Sequence, residues 1–218
     1  MKLQYLGDSK DSFKWDYHDF LTSSLNYPLL NIALMMTPDD GGNDGKSHPT
    51  LFPARDEVIE FCHDLRESRS LETINSLPAR TGNSYRINLH NSGEHFRNRQ
   101  VYFSNLKNAE NQVLLLDPDN GFEPEKSRNE KHISYGDISG ILGQLPKQSV
   151  VSVFQHHRRK SFPDDYAQIK ERIEPGFSTA IYWHSLMFVQ ITTSTTAINK
   201  VLRINKLYAA ANPVRVLA

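Results

Sequence analysis

The chain has 218 residues, of which 38% are hydrophobic and 23% are charged, a balance typical of a folded domain with a substantial core and not of a disordered chain. Lysine and arginine together number 25, as do aspartate and glutamate, and this zero net charge argues against a histone-like protein that binds nucleic acid through charge alone. The single cysteine, Cys62, excludes an internal disulfide and a cysteine-based zinc site.

No segment of the sequence is typical of export or of membrane insertion. Residues 1–7 lack the apolar run with basic flanks that marks a secretory signal. The longest apolar runs fall far short of the roughly 20 residues that are needed to span a bilayer. We therefore expect a cytoplasmic protein with no membrane partner.

Apolar residues at helical and strand spacing predict alternating helices and strands. The predicted elements, in chain order, are helix 8–26, strand 29–36, helix 53–71, strand 85–89, helix 96–108, strand 113–116, helix 135–142, strand 150–154, helix 164–173, strands 179–183 and 186–192, and helix 196–210. Three of the strands are continuous apolar runs, typical of strands buried on both faces. The alternation predicts one α/β domain over residues 1–218, a three-layer α/β/α sandwich with a mostly parallel central sheet and a C-terminal edge hairpin.

Each of the three buried strands is followed by a polar loop, at 37–45, 117–121 and 155–160. In open α/β sheets, ligands bind in the crevice at the carboxyl ends of the strands. Parallel strands bring these three loops to the same edge of the sheet, so we expect one shared site there. This convergence is the main functional prediction from the sequence.

The first loop carries three aspartates and three glycines directly after a buried strand. Asp39 or Asp40 is a candidate to activate water or to stabilise a cation. Asp44 is a candidate substrate-binding residue, although it could simply cap the turn. An ordinary turn is the alternative interpretation of the whole loop, because Pro-Asp and Asp-Gly pairs are common turn formers.

The second loop reads Asp-Pro-Asp-Asn-Gly and has two functional interpretations. Asp117 and Asp119 could bind a divalent metal, because hard cations take oxygen ligands. The same two aspartates and Asn120 could instead bind the substrate, with Asp117 or Asn120 against the polar edge of a base. A carboxylate accepts from the amino group of cytosine, and an amide can pair with several bases. A type I turn with Pro118 at its second position is the non-functional alternative.

The third loop places two imidazoles and three cations in six residues. His156 or His157 could stabilise an oxyanion, and at most one of them is expected to face the site, because neighbouring side chains of an extended chain point in different directions. A solvated basic loop is the alternative. The residues predicted to hold the phosphates of nucleic acid are Lys46, Lys126, Arg128, Lys131, Arg158, Arg159 and Lys160.

The chain enters its first helix near Gly7 and Asp8, followed by Asp11, Lys14 and Trp15. These residues could form a fourth wall of the same site. We prefer the interpretation that they belong to a plain amphipathic helix, which has a capped first turn and buries one apolar face.

The order of the three loops resembles the uracil-DNA glycosylase superfamily. That superfamily has a strand followed by a loop with Pro and Asp that positions water. Its middle strand ends in a residue that reads the base, and a late strand ends in a histidine motif that stabilises the departing base. Loops 37–45, 117–121 and 155–159 follow this order here. The sequence departs from the superfamily at two of these loops. It has Pro-Asp-Asp at 38–40 where the superfamily has Asp-Pro-Tyr, and His-His-Arg at 156–158 where the superfamily has a His-Pro-Ser type of loop.

The uracil enzymes read their base with an amide, whereas Asp117 at the equivalent point would favour a cytosine-type edge. The chain is in this respect similar to anti-phage glycosylases that remove glucosylated hydroxymethylcytosine from viral DNA. The resemblance implies an enzyme that flips a base out of DNA and hydrolyses its N-glycosidic bond with no metal or other cofactor. Asp39 or Asp40 would stabilise the sugar cation and orient water. His156 or His157 would offset the charge on the departing base.

Three other functions are compatible with the same residues. The aspartates at 39, 40, 117 and 119 would suit a metal-dependent nuclease or phosphoesterase, which EDTA would inhibit. Asp-Pro-Asp at 117–119 faintly resembles the Asp-Pro-Pro-Tyr loop of S-adenosylmethionine-dependent methyltransferases, although no glycine-rich cofactor loop of the expected form follows the first strand. A non-catalytic nucleic-acid-binding module would bind DNA and leave every bond intact.

Overall fold

The structure, a computed structural model, describes residues 2–38, 47–91, 98–126, 129–174 and 176–218. The α-helices within these ranges are α1 (Ser9–Leu25), α2 (Asp56–Ser68), α3 (Leu77–Arg80), α4 (Arg99–Ser104), α5 (Tyr135–Gln144), α6 (Phe162–Arg172) and α7 (Thr195–Ala211). The strands are β1 (Leu29–Leu34), β2 (Arg86–His90), β3 (Gln112–Asp117), β4 (Gly121–Phe122), β5 (His132–Ile133), β6 (Val150–His156), β7 (Phe177–Trp183), β8 (Leu186–Thr192) and β9 (Arg215–Leu217).

Seven of the strands form one sheet in the order β2-β1-β3-β6-β8-β7-β9. Strands β2, β1, β3 and β6 pair in parallel, and β8, β7 and β9 continue the sheet through antiparallel pairs. The register aligns Leu34 of β1 with Asp117 of β3, and Leu116 of β3 with Val153 of β6. The carboxyl ends of these three buried strands therefore meet at one edge of the sheet.

Two buried clusters of hydrophobic residues form the core. Alternate residues of β1 point to opposite faces of the sheet, so that Leu30, Ile32 and Leu34 belong to one cluster, and Ala33, with Met35 just after the strand, to the other. Helices α1, α2, α3 and α7 contribute to the first cluster, and α4, α5 and α6 to the second. The predicted three-layer α/β/α sandwich is confirmed.

The predicted hairpin is formed by β7 and β8, whose pairing ends with Trp183 against Leu186. Strand β9 pairs with β7 and forms the outermost strand on that side, and the sequence pattern does not predict it. Strands of two or three residues, such as β4, β5 and β9, are too short for apolar spacing to identify them. No helix in the described ranges is long and apolar enough to cross a membrane.

Helix α1 differs from its prediction, because it is buried on nearly every side and not along one apolar face. Its most deeply buried charged and titratable side chains, each at most 4% exposed, are Asp11, Lys14, Asp16, His18 and Asp19. Polar groups at such depth need partners. His18 Nδ1 bonds the Lys14 carbonyl oxygen at 2.7 Å, and Nε2 bonds Ser152 Oγ of β6 at 2.8 Å. Burial lowers the pKa of His18 to about 3, so a neutral imidazole links α1 to the sheet.

Candidate functional site

A cavity of about 240 Å³, the first cavity, opens where the carboxyl ends of β3 and β6 meet the start of α1. Tyr5, Pro118 and Phe154 form its apolar surface. Its charged and polar lining residues are Lys2, Asp8, Lys10, Asp11, Lys14, Asp117, Asp119, Asn120, Lys131 and His156. The predicted edge of the sheet therefore carries a cavity, and the start of α1 forms one of its walls.

Three buried charged side chains form an ion network in this wall of the cavity. Lys14 Nζ donates to Asp11 Oδ1 at 2.8 Å and to Asp117 Oδ2 at 2.9 Å, and all three side chains are at most 5% exposed. Burial alone would lower the pKa of Lys14, but the charges of Asp11 and Asp117 outweigh it and raise that pKa. The Lys14 ammonium is therefore permanently charged and ties the start of α1 to the end of β3.

Asp8 is the N-cap of α1 and lines the first cavity. Its Oδ1 accepts from the backbone N–H groups of Lys10 and Asp11, both at 2.9 Å. Both cap bonds go to the same oxygen, and within the described part of the chain no hydrogen bond is made by Oδ2. Burial, followed by the charge of Asp11, raises the pKa of Asp8 to about 6. This carboxyl group can therefore hold or release a proton close to neutral pH.

The two neighbouring histidines after β6 take opposite positions. His156 lines the first cavity, and its Nε2 lies 3.3 Å from Lys10 Nζ. An ammonium only donates, so Nε2 of the neutral ring accepts and Nδ1 carries the proton, 3.1 Å from the His157 carbonyl oxygen. The His157 ring instead packs edge-on against Phe162 at 5.4 Å. One of the two imidazoles faces the site, as expected.

The loop after β3 supplies the remaining polar groups of the first cavity. Asp119 Oδ2 accepts from Thr37 Oγ1 at 3.0 Å and lies 3.7 Å from Lys131 Nζ. Asn120 is exposed at the cavity, and its backbone N–H donates to the Lys131 carbonyl oxygen at 2.9 Å. These contacts hold the carboxylate of Asp119 and place an amide beside it.

Gln155 connects this loop to a second cavity of about 530 Å³, on the α6 side of β6. Its Nε2 donates to the His156 carbonyl oxygen and to Asp165 Oδ2, both at 3.0 Å. Its Oε1 accepts from the Phe122 N–H at 2.8 Å. Gly121 has φ +101°, and a Cβ there would lie 2.2 Å from Gln155 Oε1. Glycine is therefore required at the end of the loop by both backbone conformation and space.

The structure brings together five of the predicted site residues, around the first cavity: Asp117, Asp119, Asn120, Lys131 and His156. Three predicted phosphate contacts line the second cavity and not the first: Lys126, Arg158 and Lys160. His157 and Arg159 are exposed and line neither cavity. The predictions for Asp39, Asp40, Asp44, Lys46 and Arg128 lie outside the described residues.

The preferred interpretation of α1 as a plain amphipathic helix is wrong, because Asp8, Lys10, Asp11 and Lys14 form a wall of the first cavity. The sequence itself indicates that α1 is buried on all sides. Trp15 is two residues from both Phe13 and Tyr17 and so points to the opposite side of the helix, yet all three are large apolar groups that favour burial. A helix buried on all sides must also bury the charges between them.

A scan against protein-family models and a search of curated proteins both find no match for this chain. The chemistry of the site is therefore argued from its geometry. The first cavity combines apolar and aromatic surface, a carboxyl group that titrates near neutral pH, a paired ammonium and imidazole, and an exposed amide. Among the described residues, no group of three or more His, Cys, Asp or Glu side chains is arranged to hold a metal ion.

Proposed function

We propose that the chain is a DNA N-glycosylase whose first cavity takes one base flipped out of DNA. The observation that carries the proposal is the meeting of the β3 loop, His156 and the start of α1 around one small cavity with aromatic walls. Drug-sized ligands occupy pockets of about 300–1,000 Å³. A cavity of about 240 Å³ suits a smaller planar group, such as a single base stacked on Tyr5 or Phe154.

Asp119 and Asn120 are the proposed readers of the base edge. A carboxylate accepts from the amino group of cytosine, and an amide donates and accepts at the same edge, so the pair favours a cytosine-type base. The expected role of Asp117 changes, because its Oδ2 accepts from the buried ammonium of Lys14 at 2.9 Å. Under the proposal Asp117 positions Lys14 and the loop, and the residues after it contact the base.

Lys10 is the proposed donor that offsets negative charge on the departing base, and His156 positions it. The imidazole accepts from the Lys10 ammonium at 3.3 Å and so holds it at the cavity wall, and a preorganised donor at the point where charge develops is an effective catalyst. Asp8, ionised above its pKa of about 6, would stabilise positive charge on the sugar. The water-orienting role of Asp39 or Asp40 stays a prediction from the sequence.

The first test incubates the full chain with duplex and single-stranded DNA that carries ordinary or modified cytosines, with and without EDTA, and then with alkali. Base removal leaves an abasic site, so strand breaks are expected only after alkali and with or without EDTA. Direct breaks that need a divalent metal would contradict the proposal and identify a nuclease. Binding with every bond intact would identify a non-catalytic module.

Variants of paired residues sharpen this test. His156→Gln is expected to slow base release by up to about 10²–10³-fold, because it displaces Lys10, and the loss of a donor to a developing anion usually has an effect of that size, whereas His157→Gln is expected to retain activity. Asn120→Ala is expected to reduce discrimination between bases, and Asn199→Ala, an exposed change on α7, is the matched control. Equal losses for the two histidine variants would argue against the assigned roles.

A further inference from the structure

The second cavity is a separate, strongly basic space between α6 and the segment after β4. Its volume of about 530 Å³ exceeds that of the first cavity. Among the described residues, four cations line it against two carboxylates: Lys126, Arg158, Lys160 and Arg172, with Glu125 and Asp165. The excess of positive charge around a concave space indicates an anionic ligand.

Two of the cations are held in place by neighbouring groups. The Arg172 guanidinium stacks on the ring of Tyr135, with 4.0 Å between its central carbon and the ring centroid. Arg158 donates to the Phe122 carbonyl oxygen and to Gln155 Oε1. Side chains that are already ordered lose less conformational entropy when a ligand binds.

Asp165 is the buried carboxylate of this basic cavity. It is 1% exposed, and its Oδ2 accepts from Gln155. Its Oδ1 is buried and has no hydrogen-bond partner within the described residues. Lys160 Nζ at 3.5 Å and Arg158 Nη1 at 3.6 Å are ion-pair contacts that do not satisfy it as donors. A buried carboxylate oxygen without a donor is unfavourable, so this atom favours a ligand that supplies one.

The cations and the carboxylate together define what the ligand must carry. The cations require an anionic group such as a phosphate, which guanidinium groups bind well. Asp165 Oδ1 requires a hydroxyl or amine donor close to that anion. A DNA backbone has anionic oxygens but no hydroxyl group within the chain, so it satisfies the cations and leaves Asp165 unpaired.

We propose that the second cavity binds a small phosphorylated sugar with free hydroxyl groups, either a sugar phosphate or a ribonucleotide. The phosphate lies against Arg158, Lys160 and Arg172, and a hydroxyl group donates to Asp165 Oδ1. This site is distinct from the first cavity and does not depend on the glycosylase proposal, because binding there is measured without any reaction.

The test is isothermal titration of the full chain with ribose 5-phosphate, ribose and inorganic phosphate. Ribose 5-phosphate is expected to bind at least about tenfold more tightly than inorganic phosphate, because it alone satisfies both the cations and Asp165. Ribose alone is expected to show no measurable binding. Adenosine 5′-monophosphate that binds more tightly than ribose 5-phosphate would support the site and assign it to ribonucleotides. Equal affinities for ribose 5-phosphate and inorganic phosphate would overturn the proposal.

Variants locate the binding site. Arg172→Gln, an exposed change, is expected to weaken ribose 5-phosphate binding by about tenfold through the loss of a charged contact. Arg203→Gln on the opposite helix layer is the matched control and is expected to have no effect. Asp165→Asn is expected to lower the affinity for ribose 5-phosphate to that for inorganic phosphate. A loss with Asn120→Ala instead of Arg172→Gln would place the ligand in the first cavity and overturn the proposal.

Discussion

The two cavities lie on either side of the end of β6, and they differ in how their buried charged groups are hydrogen-bonded. In the first, Lys14 is buried with two carboxylates and donates to both at 2.8 and 2.9 Å. In the second, Asp165 is equally buried, but its nearest cations for Oδ1 lie at 3.5 and 3.6 Å. Lys14 therefore donates to both carboxylates, whereas Asp165 Oδ1 has no donor among the described residues. Under the proposal above, a ligand of the second cavity supplies that donor.

The largest effect is expected from breaking the ion network of Lys14. Lys14→Met leaves Asp11 and Asp117 buried without their cation, and loss of one partner from such a network costs about 3–5 kcal/mol in the free energy of unfolding. Lys160→Met is the matched change in the second cavity, where the side chain is 32% exposed, and is expected to cost less than about 1 kcal/mol. Urea denaturation measures both, and equal losses would contradict the comparison.

A smaller effect is expected where Gly121 and Gln155 separate the cavities. Gly121→Ala combines a strained positive φ, about 1–2 kcal/mol, with a Cβ that would lie 2.2 Å from Gln155 Oε1. We expect a total loss of about 3 kcal/mol, since overpacking adds roughly 1–3 kcal/mol. Gly82→Ala has φ +70° but no atom within 4 Å of its Cβ, so thermal denaturation of this control reports the backbone cost alone. A similar loss for both variants would exclude the predicted clash.

A smaller, pH-dependent effect on the free energy of unfolding is expected from Asp8, which lines the first cavity. Its pKa is raised from 3.8 to about 6, so the folded state binds the proton more tightly than the unfolded state does. The resulting stability is fully present below about pH 4 and is lost as the pH rises through about 6. Asp8→Asn, which keeps a good N-cap, is expected to remove this part of the pH profile of unfolding. Asp164→Asn on α6 should retain it, and an unchanged profile in Asp8→Asn would contradict the assignment.

The smallest effect is expected at an ion pair outside both cavities. Arg86 and Glu110 are paired, with side chains 65% and 48% exposed. Because solvent screens such pairs, Arg86→Gln is expected to change the free energy of unfolding by less than about 1 kcal/mol. A loss as large as that of Lys14→Met in the same urea titration would show that burial is not what separates these ion pairs.

Much of the fold follows from local sequence pattern. The continuous apolar runs that become β1, β3 and β6 predict buried parallel strands, and a parallel sheet brings their ends together. The sequence therefore predicts that Asp117, Asp119, Asn120 and His156 share a site. The sequence offers Lys14 as a possible wall of the site but favours a plain helix, because a lysine in a helix is ordinarily a solvated residue.

The sequence by itself determined the three-layer architecture and the edge of the sheet where polar loops gather, because strand burial and chain direction follow from apolar pattern and alternation. Only the tertiary structure decided which side of β6 each residue of the basic loop faces. His156 joins Lys10, 146 residues away in the chain, while Arg158 and Lys160 meet Asp165 on the other side. The physical reason is that β6 ends at His156, so strand alternation does not fix the directions of Arg158 and Lys160, and what each side meets depends on helices packed from distant parts of the chain.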